Sequence, residues 1–408
     1  MEIKVGDKVW IRQNKLLFGK VLVLLLVFLM IMSGLGLSGC VGRTGDPMGW
    51  SGGVVADGQL FVGTIGGELV AIDVSDGSLL WKVTLDSPAQ SGGGLFGCTP
   101  EMAAAAIYGT PVVGDFLYAG SYLSSNDGGE GIFYAFEPGR EEARWIYPRQ
   151  GTVDGAFIGG PVLSQGKVYV GCSDGKVYAL DAAEGYKEWE FPTGDEIWST
   201  PAIDGDMLFV SSLDKKLYAI NTADGSEEWV FIAGGALVSN PIVDDGTVYV
   251  GSLDRQLYAV NADDGSLKWQ SSVDAGKWFW SQPVVYQGTM YAGNLDGKIY
   301  VLDAETGEAK VEAIDMGSPI SSSPVLVGDL ILIASEEGKV YSLDTSNNQK
   351  KLLGDIEGLA DVDLSIYAPL SVSKGTIFIC AQTEKHGTVV YAMNAQSGAI
   401  EWHYPQIS

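Results

Sequence analysis

After residue 50 the chain is written in short apolar runs, rich in Val, Ile, Leu, Tyr and Phe and cut by Gly, Asp and Asn. Residues 247–252 and 256–261 are two such runs. Their β-branched and aromatic content, with turn residues between them, predicts successive antiparallel strands, and helical periodicity is absent from this region. The runs recur in a fixed order. Thr200-Pro201-Ala202 leads to Leu208-Phe209-Val210, then Leu217-Tyr218-Ala219-Ile220-Asn221, Asp224-Gly225 and Trp229. Forty residues on, Asn240-Pro241-Ile242 leads to Val248-Tyr249-Val250, Leu257-Tyr258-Ala259-Val260-Asn261, Asp264-Gly265 and Trp269. The proline returns at Pro111, Pro161, Pro201, Pro241, Pro283, Pro324 and Pro369, and Gly53 holds its place in an earlier copy, making eight units. The closing Trp returns as Trp81, Trp145, Trp189, Trp229, Trp269 and Trp402, with Val311 in unit six and no equivalent in unit seven.

Units of this length holding four strands predict β-propeller blades, because one small sheet cannot bury both of its faces unless blades stack around an axis. The expected fold is all-β, an eight-bladed propeller of four-stranded antiparallel blades over residues 50–408. The Asp-Gly or Thr-Gly turn reverses the chain before the outer strand. The Trp four residues later supplies apolar surface to fill the gap between blades. Unit one begins with its own inner strand and unit eight ends with its own Trp402, which predicts that each blade is continuous, with no strand exchanged to close the ring.

Ahead of the repeats, Lys4, Lys8, Arg12, Lys15 and Lys20 precede an uncharged apolar stretch, residues 21–39. That order is an export signal. It closes on Leu37-Ser38-Gly39-Cys40, which resembles the lipobox of bacterial lipoproteins. The expectation is a signal peptide over 1–39, lipidation of Cys40 and a linker over 40–49. A stretch of this length would also serve as an uncleaved anchor. Either places the repeats outside the cytoplasm, on the periplasmic side where the host has an outer membrane.

Composition narrows the function. Gly, 55 of 408 residues, is about twice average usage, as a chain of many reversals requires. Net charge is −26, and removing the five basic and two acidic residues of 1–39 shifts it to −29. Such a surface opposes nucleic-acid phosphates, so no nucleic-acid partner is expected. Beside Cys40, the chain has Cys98, Cys172 and Cys380, whose spacing matches no zinc or haem pattern. No structural disulfide is expected, and the single ring predicts a monomer.

Motifs that imitate catalysis do not survive their context. Gly92-Gly93-Gly94-Leu95-Phe96-Gly97 satisfies G-x-G-x-x-G, yet Cys98-Thr99-Pro100 follows it instead of a helix. Gly171-Cys172-Ser173-Asp174-Gly175 spells a nucleophile elbow but occupies an inter-strand turn. The only histidines, His386 and His403, both fall in the last unit, which excludes a His-based triad or a multi-His metal site. The acidic, Gly-rich residues 126–130 have oxygen donors of the kind Ca²⁺ uses, and read as a solvated loop.

The motif Ala219-Ile220-Asn221-Thr222-Ala223-Asp224-Gly225-Ser226-Glu227-Glu228-Trp229, repeated over 259–269, resembles the repeat of the PQQ-type (quinoprotein-like) propellers, and the resemblance spans residues 50–404. That family includes dehydrogenases holding pyrroloquinoline quinone (PQQ) and Ca²⁺, which are longer and often carry adjacent cysteines. This chain has neither the extra length nor the cysteine pair, so no cofactor is expected and a PQQ- or small-ligand-binding role is the alternative reading. The match is better to the BamB-like propeller lipoproteins of the cell envelope. That resemblance implies a non-catalytic, membrane-anchored scaffold for an envelope protein partner.

Candidate contact residues follow from the loops. Thirty residues separate Trp81 from Pro111 where twelve separate Trp189 from Pro201, and a second insertion lies between Gly120 and Tyr134. Leu95, Phe96, Met102 and Ile107 in the first insertion are apolar in an acidic chain. The segment around 102–107 is expected to form a short helix, serving either as a partner-binding flap or as a lid over the channel. Lys215, Lys216 and Arg255 put cations in the turns between second and third strands, as partner contacts or as ordinary exposed turn residues. Trp198 and Trp280, each three residues before its unit's proline, Tyr108 and Ile366 at equivalent places, and Phe279 are expected at the rim of the central funnel, stacking on a ligand or plugging the opening.

Overall fold

The structure is a computed structural model and describes residues 51–85, 105–125, 128–357, 364–383 and 385–405. Eight antiparallel blade sheets follow one another, seven of four strands and the last of five, each built from consecutive strands except in unit two, where an inserted hairpin separates the second strand from the third. In unit four, strands A to D are Ala202–Asp204, Met207–Ser211, Lys216–Asn221 and Glu227–Ile232. Phe209 pairs Ala219 and Ala219 pairs Trp229. The A strands of neighbouring blades touch around the axis, and that of unit one, Gly53–Ala56, touches those of units two and eight. The ring therefore closes with every blade intact.

Burial explains the sequence pattern. Strands B and C lie between two neighbouring blades and are covered on both faces, as in Lys216–Asn221, whose four central residues are all buried, so they read as unbroken apolar runs. Strand D is the outer edge and alternates. In Lys187–Pro192 only Trp189 and Phe191 are buried. There is no single core: each apolar cluster spans one seam, such as Phe209, Leu217 and Trp229 of unit four with Val248, Val250 and Tyr258 of unit five.

At five seams the closing Trp performs two tasks. Its indole N–H donates to a backbone carbonyl of the next blade: Trp145 to Ala182, Trp189 to Thr222, Trp229 to Ala262, Trp269 to Ala304 and, across the closure, Trp402 to Val74, all at 2.9–3.2 Å. Its ring lies against the turn glycine of that blade. At Gly225, with φ +76°, a Cβ would stand 2.7 Å from Cδ2 of Trp189. This glycine is needed both for its backbone conformation and for the ring's approach.

The other three seams depart from this pairing, and one of them loses both partners together. Asn348 (φ +57°) replaces the glycine in unit seven, where the facing residue is Val311 instead of Trp. Glu141 replaces it in unit two, and the indole N–H of the facing Trp81 is buried with no hydrogen-bond partner. At the seam of units seven and eight, the outer strand's bulge has moved to the Val340/Tyr341 step. There the backbone of Leu353 takes the place of a Trp, so close to Gly398 that a Cβ would meet its carbonyl oxygen at 1.9 Å.

Two departures bear on the functional face. The second insertion is a hairpin, Tyr122–Ser125 with Gly128–Glu130, joined by Ala105–Ala106 in a small three-stranded sheet. Ala105 and Ala106 pair with Leu123 and Tyr122, which corrects the expected helix over 105–107, residues 102–104 lying outside the described residues: a sheet edge was available, and pairing with it outweighed alanine's helical propensity. In unit eight, strands B and C are lengthened to Thr376–Thr383 and Gly387–Asn394, with Leu364–Ser365 added alongside.

Candidate functional site at the propeller mouth

In units three to seven the B–C turn is tied by a backbone hydrogen bond to the D–A connection leading into the blade. Leu213 N donates to Glu196 O, Leu253 N to Ala236 O, Leu295 N to Trp278 O and Glu336 N to Pro319 O, at 2.9–3.1 Å. These connections and turns therefore share one face around the axis. A strands from units three to six line an axial cavity of about 440 Å³, with Thr200, Asn240 and Gln282 among Val, Ile and Pro side chains. Blade-to-blade bonds run round it: Gly160 N to Thr200 Oγ1 at 2.8 Å, Thr200 N to Asn240 Oδ1 at 2.7 Å and Gln282 N to Ser323 Oγ at 3.1 Å.

The approach to each A strand alternates like a strand, and this sorts the aromatic candidates. Four residues before the proline, Ile107, Phe157, Ile197, Leu237, Phe279 and Ile320 all point into a seam and are fully buried. Phe279 stands edge-on to Tyr300 at 5.3 Å. It is a core residue and not part of the rim, and Ile107, buried against unit one, offers a partner no surface. Both expectations are corrected. The alternation was visible in the sequence, since this position is apolar in each of these units.

One residue later the side chain turns toward the mouth. Trp198 and Trp280, each half-buried, come together from units four and six with ring centroids 6.2 Å apart, tilted by 59°. Trp198 Nε1 donates to Glu196 Oε2 at 2.6 Å. Burial raises the carboxyl pKa of Glu196 above the ordinary glutamate value, with the indole N–H pulling the other way. On the opposite side Tyr108 meets Tyr122 edge-on at 5.5 Å. In unit eight Ile366 is fully buried and Tyr367, half-buried, takes the mouth position. The approach there is one residue shorter, which the alignment on Pro369 concealed.

The cationic turns differ among themselves. Lys216 is half-buried, with Nζ 3.3 Å from the Tyr218 hydroxyl and 3.7 Å from Asp214. Lys215 and Arg255 are exposed and lie in the left-handed region, φ +75° and +72°. The equivalent turn position holds Gly67, Gly175, Gly297 and Gly338 in other units. A non-glycine residue there costs about 1 kcal/mol, and two adjacent blades carry a cation at this position. Leu95, Phe96, Met102 and Cys40 lie outside the described residues.

Among the described residues no three His, Cys, Asp or Glu side chains converge as a metal site. Cys172 and Cys380 are separately buried in units three and eight, and burial pushes the Cys380 thiol pKa up to about 12.

Fold and mouth together define an eight-bladed β-propeller with a loop-built, aromatic-rimmed face. The family model described as outer membrane protein assembly factor BamB matches residues 5–200 and 192–404. The chain belongs to this family. Among solved structures it is similar to BamB from Moraxella catarrhalis, with 18% identity, a TM-score of 0.62, and 87% of this chain and 97% of that one covered. It is equally similar in fold to the computationally designed Ika8 protein, with 15% identity, a TM-score of 0.63, and 86% and 97% covered. No curated protein sequence matches it.

Proposed function

We propose that this protein is a non-catalytic scaffold of the cell envelope, exported by residues 1–39, anchored through lipidated Cys40 and a linker over 40–49, and holding a protein partner on the mouth face of a monomeric propeller over 50–408. The observation that carries the reading is the pair Lys215 and Arg255. They are held in left-handed turns where other blades use glycine, in a chain of net charge −26. Backbone strain of this kind persists where a side chain is needed. The half-buried Trp198–Trp280 pair nearby adds rigid apolar surface of the type that anchors interfaces. Membership of the BamB family supports the envelope location and a protein partner.

The test is photo-crosslinking from positions 215, 255 and 280 in intact envelopes, against positions on the opposite face. Enrichment of one protein from the mouth positions, lost in Lys215→Gly/Arg255→Gly, is expected, and equal labelling from both faces would refute the reading. Deleting residues 90–105 tests the flap: lost capture with unchanged thermal stability supports partner binding, whereas lost stability with capture intact makes it a lid. Cys40→Ser is expected to release the protein into the soluble fraction.

A further inference from the structure

The outer rim is a circle of eight edge strands whose outward backbone groups pair with no other strand among the described residues. Unpaired edges recruit other strands, and proteins blunt them with charges, Pro or irregularity. Seven blades here are blunted. Proline stands three residues after the Trp in units two, three and eight, as Pro148, Pro192 and Pro405. Unit one has Thr84 in that place and follows Trp81 directly with Lys82, ion-paired to Glu68 at 2.8 Å. Unit five follows Trp269 with Gln270, Ser271 and Ser272, unit six has only the short Ile314–Asp315, and unit seven opens on Lys350 and Lys351.

Unit four keeps charges at its opening, Glu227 and Glu228, but neither proline nor a charged or polar residue follows its Trp within the strand. Its outer strand, Glu227–Ile232, ends Trp229-Val230-Phe231-Ile232. Ile232 occupies the place of the three prolines and, at 69%, is the most exposed large hydrophobic of the described residues. The ladder shows which backbone groups are available. Ala233 N donates to Lys215 O at 2.8 Å, and Phe231 and Trp229 face Leu217 and Ala219. Because hydrogen-bonded and non-hydrogen-bonded pairs alternate, the N–H and C=O groups of Val230 and Ile232 point away from the sheet. An incoming strand finds two backbone pairing positions flanked by apolar side chains.

We propose that strand Glu227–Ile232 is a β-augmentation site for an extended segment of another protein, with β-branched apolar residues followed by one or two basic ones. Charge selects this occupant. The strand opens on exposed Glu227 and Glu228, preceded by Asp224. An antiparallel neighbour that sets apolar residues beside Ile232 and Val230 brings its C-terminal end to these carboxylates, where Lys or Arg is favoured. A second copy of this chain is disfavoured, since it would bring another −26 and the same glutamates. The site lies on the outer rim, and failure of the mouth to hold a partner would leave it standing.

The decisive variant is already written in the protein. Val230→Glu/Ile232→Pro converts the outer strand of unit four to the Trp-Glu-Phe-Pro of unit three, so the substituted strand is compatible with the ladder. The probe is a fluorescein-labelled peptide, Thr-Val-Ile-Val-Thr-Lys-Arg, titrated into the full-length protein and followed by anisotropy. The parent is expected to bind and the variant to lose at least about tenfold in affinity, with an unchanged thermal midpoint. Peptide should slow amide exchange at Val230 and Ile232, and replacing its Lys-Arg with Glu-Glu should weaken binding. Equal affinity of parent and variant, protection elsewhere, or indifference to the charge reversal would overturn the proposal. So would a dimer in sedimentation that the double substitution dissolves.

Discussion

Gly225→Ala tests the account of the seams most directly. The new methyl would stand 2.7 Å from Cδ2 and 2.8 Å from Cε3 of Trp189, at a backbone φ of +76°. The left-handed conformation alone costs about 1 kcal/mol for alanine. Forcing a methyl against a seated ring adds roughly 1–3 kcal/mol of overpacking, so the substitution should destabilise by roughly 2–4 kcal/mol. In a Trp189→Val background the ring is gone and only the backbone cost of about 1 kcal/mol should remain. Trp189→Val by itself is expected to cost about 3 kcal/mol through lost burial. The carbonyl of Thr222 keeps partners in that background, because the Tyr169 hydroxyl and Lys167 Nζ also donate to it. Urea unfolding of the four proteins, followed by circular dichroism, measures the coupling. If Gly225→Ala costs the same with and without the indole, the ring does not impose the glycine, and the pairing of Val311 with Asn348 has another origin.

Three further outcomes are expected. Lys215→Gly and Arg255→Gly each relieve left-handed strain, so each should raise stability by up to about 1 kcal/mol in urea while weakening partner capture; a loss of stability would show that these side chains have a packing role instead. Asp73, Asp224, Asp264 and Asp344 lie below the ordinary aspartate pKa because Ser75, Ser226, Ser266 and Ser346 donate hydroxyl and backbone N–H groups to them. A depressed folded pKa gives stability that is present above the ordinary value of 3.8 and lost as pH falls through the folded one. The urea midpoint should therefore drop below that pH, and less steeply when all four are Asn; an unchanged acid slope would count against it. Burial pushes the thiols of Cys172 and Cys380 up, so both should label with a thiol reagent only at the rate of unfolding, and rapid labelling in native buffer would contradict their placement.

Repetition made the blade count and strand order legible before any coordinates, because each blade is a local unit whose strands pair in sequence order. The seam logic was half legible. The sequence shows where Trp and Gly recur, but that the glycine of one blade answers the Trp of the blade before it is a contact between residues 36 or more positions apart. The mouth is less legible. Trp198 and Trp280 look equivalent in the repeat, yet only the ring's curvature sets them 6.2 Å apart across an intervening blade. Phe279 and Ile107 are apolar and adjacent to rim residues, and a shift of one position along an extended chain reverses the face.

By itself, then, the sequence determined what local patterning can determine: strands, turns, their number and the positions of Trp and Gly. The tertiary structure decided which identical-looking positions are equivalent. Ile232 and Pro192 share one place in the repeat, and only the ladder shows that its N–H faces open solvent, where an isoleucine leaves an edge available and a proline closes it. Lys215 reads as one more surface lysine until its φ of +75° shows a side chain held against its own backbone preference. Such differences depend on which way a peptide group points once eight blades have closed on one another, a property of the assembled ring and not of any single repeat.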